Sequence, residues 1–186
     1  MATGDLMAGA LARARAHREA DLADLIEELR IPSVSTLPER REDCLRNARW
    51  LRERFERMGM TSDIVDVLPG GLPVVTAEWN GASGRPHLTV YGHYDVQPPD
   101  PLEEWDSPAF EPRIRDGMLF ARGAADNKGN HMATVKAAEH LFAAGAPPVN
   151  LRFLVEGEEE ISGPSLPRYI RDHGPALKTD AVMIWD

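Results

Sequence analysis

The sequence predicts a layered α/β domain with a mixed, largely parallel sheet, and three observations lead there. Segments of helical periodicity alternate with short apolar runs. Gly- and Pro-rich turns separate these segments. Three apolar runs lead directly into ionisable residues, at His93–Tyr94–Asp95, at the stretch 156–160 and at Asp186. In sheets of this class, ligands sit beyond the carboxyl ends of the strands.

Residues 5–30 carry apolar side chains at helical spacing, closing with Leu22, Leu25, Ile26 and Leu29 before Pro32. A second helix is predicted over 41–58, with Leu45, Ala48, Leu51, Phe55 and Met58 on one side and Gly59 as its stop. Strands are expected over 61–68 and 73–79, around the turn Pro69–Gly70–Gly71. Another is expected over 87–91, ending at Gly92. A proline-rich loop follows, then a brief strand over 118–121. Helices are predicted over 129–144 and 165–173. The strongly apolar run 149–155 reads as a strand, and 181–185 as a last buried strand.

The 186 residues suffice for one domain, taken as 1–186. Lys and Arg number 21 against 30 Asp and Glu, a net charge of -9, which argues against nucleic acid and anionic membranes as partners. The lone Cys44 excludes an internal disulfide and a cysteine zinc knuckle. The first 30 residues lack the apolar core of a signal peptide, and no run is long enough to span a membrane, so a cytoplasmic location is expected.

The ionisable residues have two readings each. His93 and Asp95 lie two apart in an extended segment and so point the same way; His93 is a candidate metal ligand held by Asp95, or else a strand-end histidine bonded to its neighbour. Asp126, between Gly123 and Gly129, can bridge two metal ions or cap the following helix. Four glutamates in the stretch 156–160 repel one another unless a cation compensates. Of the adjacent pair Glu159 and Glu160, one can bind metal while the other moves protons. Asp186 is a hard ligand or a simple strand end. His17, His87, His131, His140 and His173 are assigned to structure. No P-loop and no Gly-x-Ser-x-Gly motif occurs.

Taken together, these segments resemble the co-catalytic zinc metallopeptidases of family M20. That family includes carnosine and Xaa-His dipeptidases, acetylornithine deacetylase, succinyl-diaminopimelate desuccinylase, aminoacylase and glutamate carboxypeptidase. The matching segments run from Gly92 to Pro98, Trp105 with Ser107 to Phe110, Arg122 to Gly129, Glu156 to Glu160, and Asp186. Val96–Gln97–Pro98 with the full acidic run looks most like the dipeptidase branch.

The resemblance implies an α/β/α zinc-peptidase-like catalytic domain that cleaves amide bonds in dipeptides or small N-acyl amino acids. It implies one Zn2+ on His93, Asp126 and Asp186, and a second on Asp126 and Glu160, with Mn2+ or Co2+ also suited to such ligands. Glu159 would be the general base and Asp95 the residue orienting His93. The peptide bond after Asp126 would be cis. Where the family continues its glutamate pair with Gly-Ser, this chain has Ile161–Ser162–Gly163, so either a shifted register or an altered turn is expected there.

Family members are also longer. They insert a lid and dimerisation domain after the strand matching 181–186, and a later segment supplies the last zinc-binding histidine. The expectation is therefore an N-terminal part of a catalytic domain, inactive alone, from a full-length homodimer. The competing expectation is a natural non-enzymatic metal-binding or interaction module. The feature that separates them is a chain end at the tip of an apolar strand, a poor place for a natural terminus.

Overall fold

The computed structural model describes residues 3–186. Five helices are formed: α1 (Thr3–Ala16), α2 (Arg18–Leu29), α3 (Arg41–Arg57), α4 (Lys128–Ala144) and α5 (Ser165–His173). The strands are β1 (Thr61–Val65), β2 (Val74–Trp79), β3 (His87–His93), β4 (Arg113–Arg115), β5 (Met118–Phe120), β6 (Asn150–Glu156) and β7 (Ala181–Ile184). Among the described residues, no helix is long and apolar enough to cross a membrane.

The single helix expected over 5–30 is two. His17 leaves helical torsions (φ −107°, ψ 10°), and its Nδ1 lies 3.0 Å from the Arg13 carbonyl, a local side-chain bond of the kind that competes with helix continuation. The end of α3 follows the expectation, with Gly59 at φ 86°. The strand β4 departs from the expected loop. It pairs with β5 across Asp116 and Gly117, both at positive φ, the two-residue Asp-Gly turn that matches the twist of a hairpin.

The main sheet has the order β1-β2-β6-β3-β7. The pairs β1–β2 and β2–β6 are antiparallel, and β6–β3 and β3–β7 are parallel. Strand β6, buried at every position, lies at the centre. Its alternate residues serve two cores, as the pleat requires. Leu151, Phe153 and Val155 pack with Val75, Ala77 and Val90 against Leu51, Phe55 and Val135 of α3 and α4. Leu154 packs with Val74 on the opposite face, against Leu166 and Tyr169 of α5. This gives the three layers, helix–sheet–helix.

A charged network ties α2, α3 and α4 together on the first face. Arg54 meets Asp24 at 2.8 Å and Glu139 at 3.3 Å. Lys136 pairs with Asp21, Asp24 and Glu139, and His140 with Asp21. The three carboxylates of this cluster are thus already compensated by protein cations.

The last strand differs from expectation. β7 pairs with β3 alone, and Val182, Ile184 and Trp185 are 56%, 65% and 55% exposed. Among the described residues it is an edge strand with neither face covered.

Candidate metal centre

Because β3, β6 and β7 run parallel, their carboxyl ends share one edge of the sheet. His93 ends β3 in register with Glu156 of β6, and Asp186 lies just past β7. Two connections reach the same edge. One is the loop before α4 that carries Asp126. The other is a single 3-10 turn over Glu159–Ile161. Residues from four parts of the chain therefore converge.

His93 is at the centre and has no exposed surface. Its Nε2 is buried without a hydrogen-bond partner, yet Asp126 Oδ1 lies 3.1 Å away, Asp186 Oδ1 3.6 Å and Glu159 Oε2 4.0 Å. Ligand atoms of His93, Asp126 and Glu160 all fall within 4.8 Å of one another. A ring nitrogen close to carboxylate oxygens but not aligned for a hydrogen bond with any of them can serve with them as a metal donor set. Ligand bonds of about 2.0–2.2 Å about a shared cation place donors roughly 3–3.5 Å apart. Imidazole with carboxylates suits Zn2+, Mn2+ or Co2+.

The other ring nitrogen is held by Asp95, through the backbone rather than the carboxylate alone. His93 Nδ1 donates to the main-chain carbonyl of Asp95 at 3.0 Å, and the carboxylate Oδ1 flanks it at 3.3 Å. The carboxylate also reaches the acidic turn, where Asp95 Oδ2 accepts the Glu160 N–H at 3.1 Å. Burial disfavours a charged His93, but the surrounding Asp95, Asp186 and Glu159 carboxylates outweigh it and push the imidazole up to about 9.

The four glutamates divide by environment. Glu158 is buried and accepts N–H groups of Leu72 at 2.7 Å and Ser165 at 3.1 Å. Glu156, also buried, accepts the Tyr91 hydroxyl at 2.9 Å, and burial pushes its carboxyl up to about 7. Glu159 and Glu160 are partly open. Glu160 accepts from Gln97 twice, from the backbone N–H at 3.2 Å and the side-chain amide at 2.8 Å, and its carboxyl is raised by burial. Backbone amides and a phenol thus relieve part of the repulsion that the sequence alone assigned to a cation. The turn that follows has Ser162 at φ 49°, which is how Ile161–Ser162–Gly163 reverses the chain.

Two further residues shape the site. Asn127 donates its side-chain amide to the Trp185 carbonyl and to Asp186 Oδ1, both at 2.8 Å, and its Oδ1 lies 3.4 Å from the His93 N–H. It joins the ends of β3 and β7. Gln97 aligns Glu160. Sequence reasoning gives neither residue a role, and their only signal is position beside a candidate ligand or within the Val96–Gln97–Pro98 motif. The Asp126–Asn127 peptide bond is cis. At the start of α4, a Cβ on Gly129 would lie 2.0 Å from the Ala124 carbonyl, so the loop closes this tightly only over glycine.

Comparison with known proteins places this arrangement in context. Residues 89–186 match the model of Peptidase family M20/M25/M40. The chain is 30% identical over 149 residues to a Beta-Ala-His dipeptidase of Rattus norvegicus, covering 75% of this chain and 30% of the relative. It is 39% identical over 145 residues to a succinyl-diaminopimelate desuccinylase of Bordetella parapertussis, covering 77% and 35%. Among solved structures, human carnosine dipeptidase 1 superposes with a TM-score of 0.90 at 28% identity, covering 96% of this chain and 41% of that one. An M20 family metallo-carboxypeptidase from Sulfolobus solfataricus gives 0.81 at 38% identity, covering 89% and 37%. The chain spans about a third of the length of these curated relatives.

Proposed function

The chain belongs to Peptidase family M20/M25/M40, and from that premise we propose that it carries the metal-binding and proton-transfer residues of a di-zinc hydrolase acting on amide bonds in dipeptides or small N-acyl amino acids. The observation that carries this reading is the orphaned Nε2 of His93 among the carboxylates of Asp126, Asp186 and Glu159. Relatives named as a dipeptidase and a desuccinylase both act, by their names, on an amide bond, which sets the substrate class no more finely.

His93, Asp126 and Asp186 would hold one ion, and Asp126 with Glu160 the second. Bound Zn2+ supplies Lewis acidity to the amide carbonyl and to water. The protein residues do the rest. Glu159, with a side chain 39% exposed beside the ligand set, takes a proton from the attacking water and delivers it to the leaving nitrogen. Asp95 fixes the ring of His93 through its carbonyl and anchors the Glu159–Glu160 turn through its carboxylate. Gln97 orients Glu160, and Asn127 orients Asp186.

Calorimetric titration of residues 1–186 with Zn2+ tests the reading. Three protein ligands make the usual catalytic zinc position, whereas two carboxylates, one of them shared, hold the ion poorly. About one tight equivalent is expected, lost in His93→Ala and in Asp126→Ala, with no dipeptide turnover by this segment alone. Wild-type uptake that both variants retain would place the metal elsewhere and defeat the proposal.

A further inference from the structure

The carboxyl-terminal turn of α2 lies outside the ligand set, yet it touches both segments that carry it. Glu28 is fully buried. Its carboxylate oxygens lie 2.9 and 3.1 Å from His131 Nε2, and Oε1 also accepts the Asn47 amide at 3.3 Å. Each of these partners holds a carbonyl at the end of β3 or just beyond it: His131 Nδ1 donates to the His93 carbonyl at 2.9 Å, and Asn47 Nδ2 to the Tyr94 carbonyl at 3.2 Å. Ser33, just beyond the same turn, donates its hydroxyl to the Tyr94 carbonyl at 2.6 Å, and its own carbonyl accepts the Val96 N–H at 3.0 Å.

On the other side stands Lys128, two residues after Asp126 and also fully buried. Its ammonium donates to the carbonyls of Glu28 at 3.1 Å and Ile31 at 2.7 Å. The Glu28 carbonyl also accepts the Ile31 N–H at 3.0 Å and the Ile31 carbonyl the Ser33 N–H at 2.9 Å, and both lie at the negative end of the α2 dipole. A buried ammonium is costly unless bonded, and here the end of α2 supplies the bonds. Chain segments about one hundred positions apart therefore meet on one turn of helix.

We propose that Glu28 and Lys128 are positioning residues, and that the end of α2 is a buried clamp fixing the His93–Asp95 segment to the Asp126 loop at the spacing a divalent cation needs. The inference rests on the metal-site reading for its purpose, but the clamp itself is a property of the chain without metal. The logic is that of outer partners which orient ligands and whose loss costs about 10–100-fold in metal affinity.

Amide hydrogen exchange on the metal-free chain reads the clamp directly. The reporters are the Tyr94 N–H, bonded to the Glu156 carbonyl, and the Val96 N–H, with Gly129 and His131 reporting the Asp126 loop. Glu28→Met should speed exchange at Tyr94 and Val96 about tenfold or more relative to Val75 and Phe153 in the sheet. Glu28→Gln should largely restore protection, because its amide can donate to His131 Nε2 while its oxygen accepts from Asn47. Lys128→Met should instead loosen Gly129 and His131. If Glu28→Met does not fold, His131→Leu, which removes the bond to His93, is read in its place. Uniform acceleration across the sheet, or unchanged reporters, overturns the clamp. In parallel, Co2+ affinity should fall about 10–100-fold in Glu28→Met and recover in Glu28→Gln. If the wild-type chain takes up no Co2+, the metal-site reading fails, and the exchange rates still decide the clamp.

Discussion

Nε2 of His93 and Oδ1 of Asp126 lie 3.1 Å apart without a hydrogen bond between them. They are neighbours because a strand end and a helix-initiating loop meet at one edge of the sheet, and their geometry suits a shared cation better than a shared proton. In the metal-free chain the proton is nevertheless the competitor. The imidazole, opposed by burial but favoured by the carboxylates around it, is raised to about 9.

Metal uptake at pH 7 should therefore release about one proton from His93. Apparent Zn2+ affinity should climb about tenfold per pH unit between 7 and 8.5 and level off above 9. Calorimetry in buffers of different ionisation enthalpy measures the proton directly. An affinity flat across this range would mean that His93 is already neutral.

The same raised groups set the pH dependence of stability without metal. Glu156 rises from 4.5 to about 7 through burial, and His93 from 6.5 to about 9. A folded-state pKa above the unfolded one means that the folded chain holds the proton more tightly, so the contribution is full below the unfolded pKa and is lost as pH rises through the folded one. Glu156 loses it between pH 4.5 and 7, and His93 between 6.5 and 9. Burial lowers Lys128 to about 8, so above that pH its growing contribution opposes the His93 loss; the Tm in EDTA should fall over about pH 5–8, and Glu156→Gln should flatten only the lower part. A Tm that rises with pH across that range contradicts both assignments.

Glu159 stands 4.0 Å from His93 Nε2, farther than Asp126 or Asp186. In a hydrolytically active form of the protein, Glu159→Gln should preserve metal content and KM while kcat drops by about 10²–10⁴. Metal analysis beside steady-state kinetics separates this from ligand loss, and a Gln variant with ordinary turnover removes Glu159 from the reaction.

Among the described residues, strand β7 exposes Val182, Met183 and Ile184, followed by Trp185, at the sheet edge. Such edges pair with other chains. Residues 1–186 should self-associate with rising concentration in sedimentation velocity, and Val182→Lys with Ile184→Lys should shift the distribution toward monomer. Equal association with and without the lysines would locate the contact on another surface.

Much of the architecture follows from local rules that a sequence displays. Helical spacing with Gly59 as stop marks α3, and the apolar run into glutamates marks β6 at the sheet centre. The placement of His93, Asp126, Glu159, Glu160 and Asp186 at strand ends and loops is legible for the same reason: in a parallel ladder, chemistry belongs at the carboxyl edge. Tertiary structure decided the rest, because the deciding partners are far apart in the chain. Only the order β1-β2-β6-β3-β7 sets β7 at the edge of the sheet formed by the described residues, where an apolar run that reads as buried is exposed. Only folding shows that Glu158 is spent on the Leu72 and Ser165 amides while Glu159 and Glu160 stay open. Only folding shows that His93 is held by a carbonyl of Asp95 and that Lys128 ends on the Glu28 and Ile31 carbonyls at the end of α2. Residue type and spacing announce which groups can bind or move a proton; which of them are left free to do so depends on the backbone groups that packing brings beside them.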